Sequence, residues 1–321
     1  MNISSKYFLI LITTIYQIIA SIKDNIVRVP LGQLIDLGGY KVHIYTKGTG
    51  NISVILDHSL GGIEGYFLID EIAKFTRVLI YDRPGYGWSD SSPRTRCSAE
   101  IVSELDLLLT KAQIEPPYIL VGNSFGSYNV RLYAHKFPEK VVGIVLTDGL
   151  HERQMLAMPL IVSALKLLFI SGFIMSIFGA AIGIIRLIGT IGIFELIKPD
   201  LKKFPKKIRQ EVKKSFYNPK HWLTMTRELG NLNKSSRQVA IANNFKDLPI
   251  VSIKSQHFFK PTWFNFFLPL KTVDRLRDRI HDRLNRLSSN YTQLAATNSS
   301  HFVWVDRPEI IIEAIKQIWL L

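Results

Sequence analysis

YILVGNSFGSYNVRLYAHKF occupies residues 118–137 and joins an apolar run to a helix-like segment through a glycine-flanked serine. The apolar run Tyr118–Val121 has the length and composition of a buried strand, and SYNVRLYAHKF from 127 has the character of a helix. Between them stands Gly122-Asn123-Ser124-Phe125-Gly126, a Gly-x-Ser-x-Gly string that gains meaning from being flanked by strand and helix. A sharp strand-to-helix turn lifts the serine oxygen above a sheet, and glycines on either side let backbone pack closely there. The helix N-terminus behind Ser124 favours negative charge developing beside it. Ser124 is therefore a candidate nucleophile, against the plainer reading of a structural glycine turn.

Outward from this stretch the same rhythm repeats. ISVILD (52–57), RVLIYD (77–82) and VVGIVLTD (141–148) are short apolar runs separated by helix-like segments, the pattern of parallel strands joined by crossover helices. Ahead of them LIDLGGYKVHIYTKG (34–48) alternates on both arms of a Gly38-Gly39 turn and predicts a hairpin. Ser98 is the expected cap of SAEIVSELDLLLTKA, in which Ile101, Leu105, Leu108 and Leu109 share a face. The rhythm stops near 150 and returns at LPIVSIK (248–254), YTQLAAT (291–297) and a closing helix over 307–321. The expected organisation is an N-terminal membrane segment and flank (1–28), a first α/β core part (29–150), a helical cap or lid (151–246) and a second core part (247–321).

With Gly122–Gly126 in place, three further features carry a resemblance to the α/β-hydrolase fold superfamily. They are Tyr81-Asp82-Arg83-Pro84-Gly85-Tyr86-Gly87-Trp88-Ser89 after the fourth strand, Ser300-His301-Phe302 after the last strand, and Asp306-Arg307-Pro308-Glu309 opening the last helix. The resemblance implies a mostly parallel central sheet with helices on both faces and an inserted helical cap. It implies a Ser-acid-His triad in which His301 is the base, on a loop that can swing its imidazole over Ser124. Most members carry the acid after the seventh strand, yet residues 248–270 contain neither Asp nor Glu. Asp148, ending the preceding strand, resembles the alternative acid position of haloalkane dehalogenases, with Asp274 the next candidate. The resemblance also implies an oxyanion hole from the backbone N–H groups of Leu60 and Phe125, in a loop where Ser59 replaces the usual glycine. Asp82, Arg83 and His58 take structural roles by the same resemblance.

The chain has 321 residues, 40 Lys and Arg against 26 Asp and Glu, and a formal net charge of +14. Such charge suits a protein working beside anionic lipid or nucleic acid, and the absence of a nucleic-acid-binding motif favours lipid. Residues 7–22, YFLILITTIYQIIASI, are uncharged between Lys6 and Lys23 and predict a single-pass signal anchor; a cleaved signal peptide and a buried helix are the alternatives. Leu167–Ile185 is a second uncharged run of near-spanning length. One crossing there would put Ser124 and Asp148 on one side of a bilayer and His301 on the other, so the run is expected to be a buried cap helix or an interfacial lid. The basic run 202–214 reads as a solvated helix face before a contact for acidic lipid or nucleic acid. Phe258, Phe259, Trp263, Phe264, Phe266 and Phe267 read as packing, pocket lining or membrane contact. Cys97, the one cysteine, excludes an intramolecular disulfide. The sequence carries no metal-binding motif or phosphate loop, and no cofactor is expected.

These features lead to an expected serine hydrolase acting on a lipophilic ester through an acyl-enzyme, with a small-molecule ester or lipid as substrate, membrane lipid as partner and no nucleic acid. A catalytically silent binding protein of the same fold, or thioesterase, amidase or cofactor-free peroxidase chemistry, are the alternatives.

Overall fold

The computed structural model describes residues 3–27, 29–260 and 268–321. Eight strands form one sheet: β1 (Gln33–Asp36), β2 (Lys41–Lys47), β3 (Ser53–Asp57), β4 (Arg77–Tyr81), β5 (Tyr118–Asn123), β6 (Val141–Thr147), β7 (Ile250–Ser255) and β8 (Tyr291–Ala296). Their spatial order is β1-β2-β4-β3-β5-β6-β7-β8. β1 and β2 pair antiparallel, as do β2 and β4, and every later pair is parallel. The hairpin turns where the sequence predicts. Gly38 and Gly39 take φ of +103° and +90°, and their N–H groups donate to Asp36 Oδ1 at 2.7 and 2.9 Å.

Four helices belong to the N-terminal part: α1 (Ile3–Val27), α2 (Ile69–Ile72), α3 (Ser98–Lys111) and α4 (Gly126–Lys136). Seven lie between β6 and β7: α5 (Glu152–Leu156), α6 (Leu160–Ala181), α7 (Ile184–Thr190), α8 (Ile193–Ile197), α9 (Lys206–Phe216), α10 (Pro219–Gly230) and α11 (Leu232–Val239). After β7 come α12 (Leu270–Leu284), α13 (Val303–Asp306) and α14 (Pro308–Trp319). The two faces of the sheet bury separate apolar layers. Ile55, Leu79, Leu120 and Ile144 meet α3 and α4 on one face, while Val54, Val78, Val121 and Val145 meet Ile311, Ala314 and Ile315 of α14 on the other. Side chains of this size, wholly removed from water, stabilise the fold by roughly 1.5–3 kcal/mol each before entropy is counted. Strands covered on both sides read as continuous apolar runs, which is why the sequence shows them so plainly.

The cap is joined to the sheet by buried polar contacts. Arg83 donates from Nε and Nη2 to the two oxygens of Glu228 on α10, both at 3.0 Å, and from Nη1 to Asp57 at the end of β3 at 2.7 Å. Removing Arg83 would leave Asp57 and Glu228 buried without their shared cation, a loss of roughly 3–5 kcal/mol. The start of α3 is also held from the cap. Its N-cap residue is Cys97, with no capping side chain, and Ser98 is not the cap that the sequence suggests. The N–H groups of Ser98 and Ala99 donate instead to Ser235 Oγ and Gln238 Oε1 of α11. A tertiary contact replaces the local one.

Where the cap meets the β4 loop, His221 of α10 is fully buried, shares a hydrogen bond of 2.8 Å with Ser215 Oγ, and packs against Tyr86 and Phe216. Burial pushes this imidazole from its ordinary 6.5 down to about 3. The folded chain thus refuses a proton that the unfolded chain accepts. Stability is therefore fully present above pH 6.5 and falls as pH drops toward about 3, by an amount on the order of a few kcal/mol. His221→Leu should lower the melting temperature at neutral pH but flatten its decline between about pH 6.5 and about pH 4 relative to the parent. Equal slopes in thermal denaturation across that range would show that His221 contributes nothing to the pH dependence.

Candidate active site

β5 and β6 are paired in register, with Asn123 opposite Thr147, so the residues that follow them emerge side by side at the carboxyl edge of the sheet. Those residues are Ser124 and Asp148. The Ser124 N–H donates to Thr147 O at 2.9 Å, and the Asp148 N–H donates to Ile253 O of β7 at 2.8 Å. Both depart from strand geometry at once, with φ of +50° and +44°, a region that costs a non-glycine residue on the order of 1–3 kcal/mol. Close packing holds the serine turn in place. A side chain at Gly126 would strike Asp57 O and His58 O at 2.4 and 2.7 Å, and one at Gly122 would meet Gly126 O at 2.7 Å. Glycine at 122 and 126 therefore lets α4 start directly beneath the loop that follows β3.

His301 arrives on the loop between β8 and α13. Its Nε2 lies 2.8 Å from Ser124 Oγ, and its Nδ1 makes a very short contact with Asp148 Oδ2. The backbone N–H of His301 donates to Phe258 O at 3.1 Å, and the Phe258 ring lies tilted beside the imidazole with centroids 4.7 Å apart. An imidazole held between a hydroxyl and a carboxylate can accept the hydroxyl proton while the carboxylate fixes its tautomer. Asp274, the other candidate acid, lies elsewhere. It accepts from the Phe258 N–H at 2.9 Å and from Arg277 Nη1 at 2.9 Å, and faces His257 at 3.4 Å.

Asp148 is almost completely buried and has more partners than His301 alone. Arg277 donates to it from Nε and Nη2 at 3.1 and 2.7 Å. His281 Nε2 stands 3.3 Å from Oδ1, and Ser255 offers its N–H and hydroxyl at 3.3 and 3.1 Å. Burial by itself would raise the carboxyl's pKa. The hydrogen bonds of His281 and His301, with the charges of His301 and Arg277, override it and hold the group well below the ordinary carboxylate range. Arg277 and His281 are absent from the sequence reading. The available signal is their spacing with Asp274, since 274, 277 and 281 share one face of α12.

Leu60 follows β3 in the turn Ser59–Gly62, which is closed by Gly62 N–H donating to Ser59 O at 3.1 Å. Ser59 adopts an ordinary backbone conformation, and the positive φ of this loop, +69°, falls on Gly61. The loop is anchored at Ser59 on both sides of that residue, by Arg83 Nη2 donating to Ser59 O at 2.8 Å and by Ser59 N–H donating to Glu64 Oε1 at 3.1 Å. Among the described residues no acceptor pairs with the N–H of Leu60 or of Phe125. Glu64 also accepts from Asn123 Nδ2 at 2.7 Å, which places a second carboxylate beside the serine turn that the sequence does not mark. His58 and Asp82 sit where scaffolding would. Burial keeps His58 neutral, its Nδ1 accepting the Gly65 N–H at 3.2 Å, and Asp82 accepts the Trp88 N–H and faces His43. Of the aromatic cluster, Phe258 and Phe259 pack beside His301 and Phe302, and Trp263, Phe264, Phe266 and Phe267 lie outside the described residues.

A family model described as alpha/beta hydrolase fold matches residues 53–169. The solved structure of the epoxide hydrolase CorEH superposes with a TM-score of 0.65 at 17% identity, covering 90% of this chain and 98% of that one. A 2-hydroxy-6-oxononadienedioate/2-hydroxy-6-oxononatrienedioate hydrolase of Paraburkholderia phymatum is 34% identical over 116 residues, 34% of this chain and 40% of that protein. An uncharacterized vacuolar membrane protein of Saccharomyces cerevisiae is 34% identical over 95 residues, 29% of this chain and 14% of that protein. The chain spans less than half the length of the curated relatives it matches.

The two carboxylates are distinguishable by experiment. Asp148→Asn should slow covalent labelling of Ser124 by a fluorophosphonate probe on the order of 10²-fold or more, by analogy with loss of a triad acid, while Asp274→Asn labels at close to the parental rate. The reverse ranking would transfer the acid's role to Asp274.

Proposed function

We propose that this chain, which belongs to the α/β-hydrolase fold superfamily, is a serine hydrolase that cleaves a lipophilic ester through an acyl-enzyme on Ser124. The observation that carries the reading is the single imidazole of His301 lying between Ser124 Oγ, at 2.8 Å, and Asp148. Ser124 Oγ attacks the ester carbonyl carbon while His301 Nε2 takes its proton. The oxyanion so formed is met by the N–H groups of Leu60 and Phe125, and the N-terminus of α4 adds a favourable partial charge. As the adduct collapses the ester C–O bond breaks, and the departing oxygen receives that proton and leaves as an alcohol. Water then attacks the acyl-serine and gives a proton to His301, so that the acid is released and Ser124 restored.

The preference for a lipophilic substrate rests on the surroundings. Phe258 and Phe302 flank His301, and the cap contributes α6, the one helix among the described residues long and apolar enough to cross a membrane. Membrane association draws further support from the vacuolar membrane relative.

Ser124→Ala should abolish hydrolysis of p-nitrophenyl esters without unfolding the protein, and His301→Ala should be about as damaging, because members of a triad act as a unit. Undiminished turnover by a folded Ser124→Ala protein would overturn the proposal. Arg277→Met takes two hydrogen-bond donors away from buried Asp148, so kcat/KM should fall by about tenfold or more in a protein that remains folded by circular dichroism. Unchanged turnover would mean that Arg277 only packs.

A further inference from the structure

Both apolar runs of the sequence are helices that leave a long apolar face in solvent. On α6 the exposed positions are 160, 161, 164, 167, 168, 171, 172, 174, 175, 178 and 181, a stripe along the full helix with no charge in it. Only 11% of its most apolar window is buried, and 22 residues at 1.5 Å each extend for about 33 Å. On α1, Tyr7, Phe8, Leu11, Ile15, Ile18 and Ile22 are among the exposed residues. Apolar surface exposed along two adjoining helices marks an interaction surface.

The two helices meet at a corner. Gly183, just after α6, takes φ of +82°, and a side chain there would strike Thr13 O of α1 at 2.4 Å. From α7, buried Arg186 donates to Gln17 Oε1 at 2.6 Å, to Ser21 Oγ at 3.3 Å and to Asp24 Oδ2 at 2.7 Å. Gln17 Nε2 in turn donates to Tyr217 O at 2.8 Å. Gln17, Ser21 and Asp24 form a polar stripe on α1, at spacings of four and three residues, and all three bind Arg186 of the cap. A crossing α1 would carry Gln17, and with it the Arg186 corner, into hydrocarbon, where a central arginine is strongly disfavoured. The cap cannot follow, because its two ends return to the same sheet.

We infer that the chain is monotopic: α1 and α6, locked at the Gly183 corner by Arg186, lie together in one leaflet of an anionic bilayer, and α1 does not cross. The single-pass anchor that residues 7–22 suggest is thereby replaced by an in-plane helix. Charge favours lipid over a second copy of the chain. Lys202, Lys206 and Lys207 are exposed at the start of α9 and in the turn before it, and α9 packs on α7, beside the corner that holds α1. The inference is independent of the chemistry at Ser124, since a Ser124→Ala protein should bind vesicles as the parent does.

The test has two arms. In sealed membrane vesicles from cells expressing the full chain with different tags at its two ends, protease should remove both tags or neither. Digestion of one with protection of the other would establish a crossing and overturn the inference. In the second arm, purified full-length protein should sediment with phosphatidylcholine–phosphatidylglycerol vesicles. Leu168→Asp with Ile174→Asp should reduce that binding by about tenfold or more, as expected for charged residues on a lipid-facing surface, and Lys202, Lys206 and Lys207 changed to Gln should each reduce it by about fivefold. Parental circular dichroism and melting temperature identify folded variants. Failure of the parent to sediment, with a dimer in solution that Leu168→Asp and Ile174→Asp dissolve, would assign these faces to a second copy instead.

Discussion

A buried negative charge at Asp148 is the constraint on which the site depends. A carboxylate removed from water is tolerated only with partners that satisfy it, and the partners here come from three neighbouring elements: Ser255 from β7, Arg277 and His281 from α12, and His301 from the loop after β8. Each of these residues is fixed by an electrostatic need. The orientation of the His301 imidazole toward Ser124 is thus a by-product of satisfying a charge. Arg277 also donates to Asp274, which accepts the Phe258 N–H beside His301, so one guanidinium ties the buried carboxylate to that segment as well.

Arg83 plays the corresponding part for the loop above the serine. Its guanidinium reaches Asp57, His58 O, Ser59 O and Glu228 at once, so the end of β3, the Leu60 turn and the cap share one cation. Moving the cap would strip Glu228 from that cation, and the turn carrying Leu60 would lose the charge balance that holds it. The cap is therefore coupled to backbone geometry at the site as well as covering it. A second link runs from Lys198, after α8, to Ser300 Oγ at 3.1 Å and to Asp306, on either side of the His301 loop.

What the sequence reveals follows the physical range of each signal. The strands are legible because burial on both faces makes them continuous apolar runs, and the serine turn because its glycines answer a local steric demand at Gly122 and Gly126. His301 and Asp148 are readable as chain positions relative to those strands. Residues that act through tertiary pairing leave no such mark. Arg277 and His281 sit among many charged residues between 271 and 286 and are not distinguished from them by type, and Glu64 looks like an ordinary loop residue. Ser98 satisfies a local capping rule, yet the donors of α3 are met by Ser235 and Gln238, more than 130 residues away. The uncharged run of α1 conceals its polar stripe for the same reason, because the meaning of Gln17 depends on Arg186, 169 positions further on.

Ser124 and Asp148 are strained in the same way and at the same level of the sheet, and one cause accounts for both. Parallel pairing continues to Asn123 and Thr147, and each chain must then turn sharply within a single residue, one into α4 and the other toward the cap. A left-handed residue makes that turn in the least length, and a glycine there would make it at lower conformational cost. Serine and aspartate instead occupy both positions, so strain is retained where a smaller residue would relieve it. The side chains gain a fixed direction from that strain. Both project beyond the carboxyl edge of the sheet, and the loop bearing His301 needs only to lay one imidazole across the gap between two adjacent strands. The short reach between Ser124 Oγ and Asp148 through a single ring is set by strand spacing, about 4.8 Å. The site's geometry is in this sense a property of the sheet's register, which the sequence encodes in two runs of apolar residues and the polar residue that ends each.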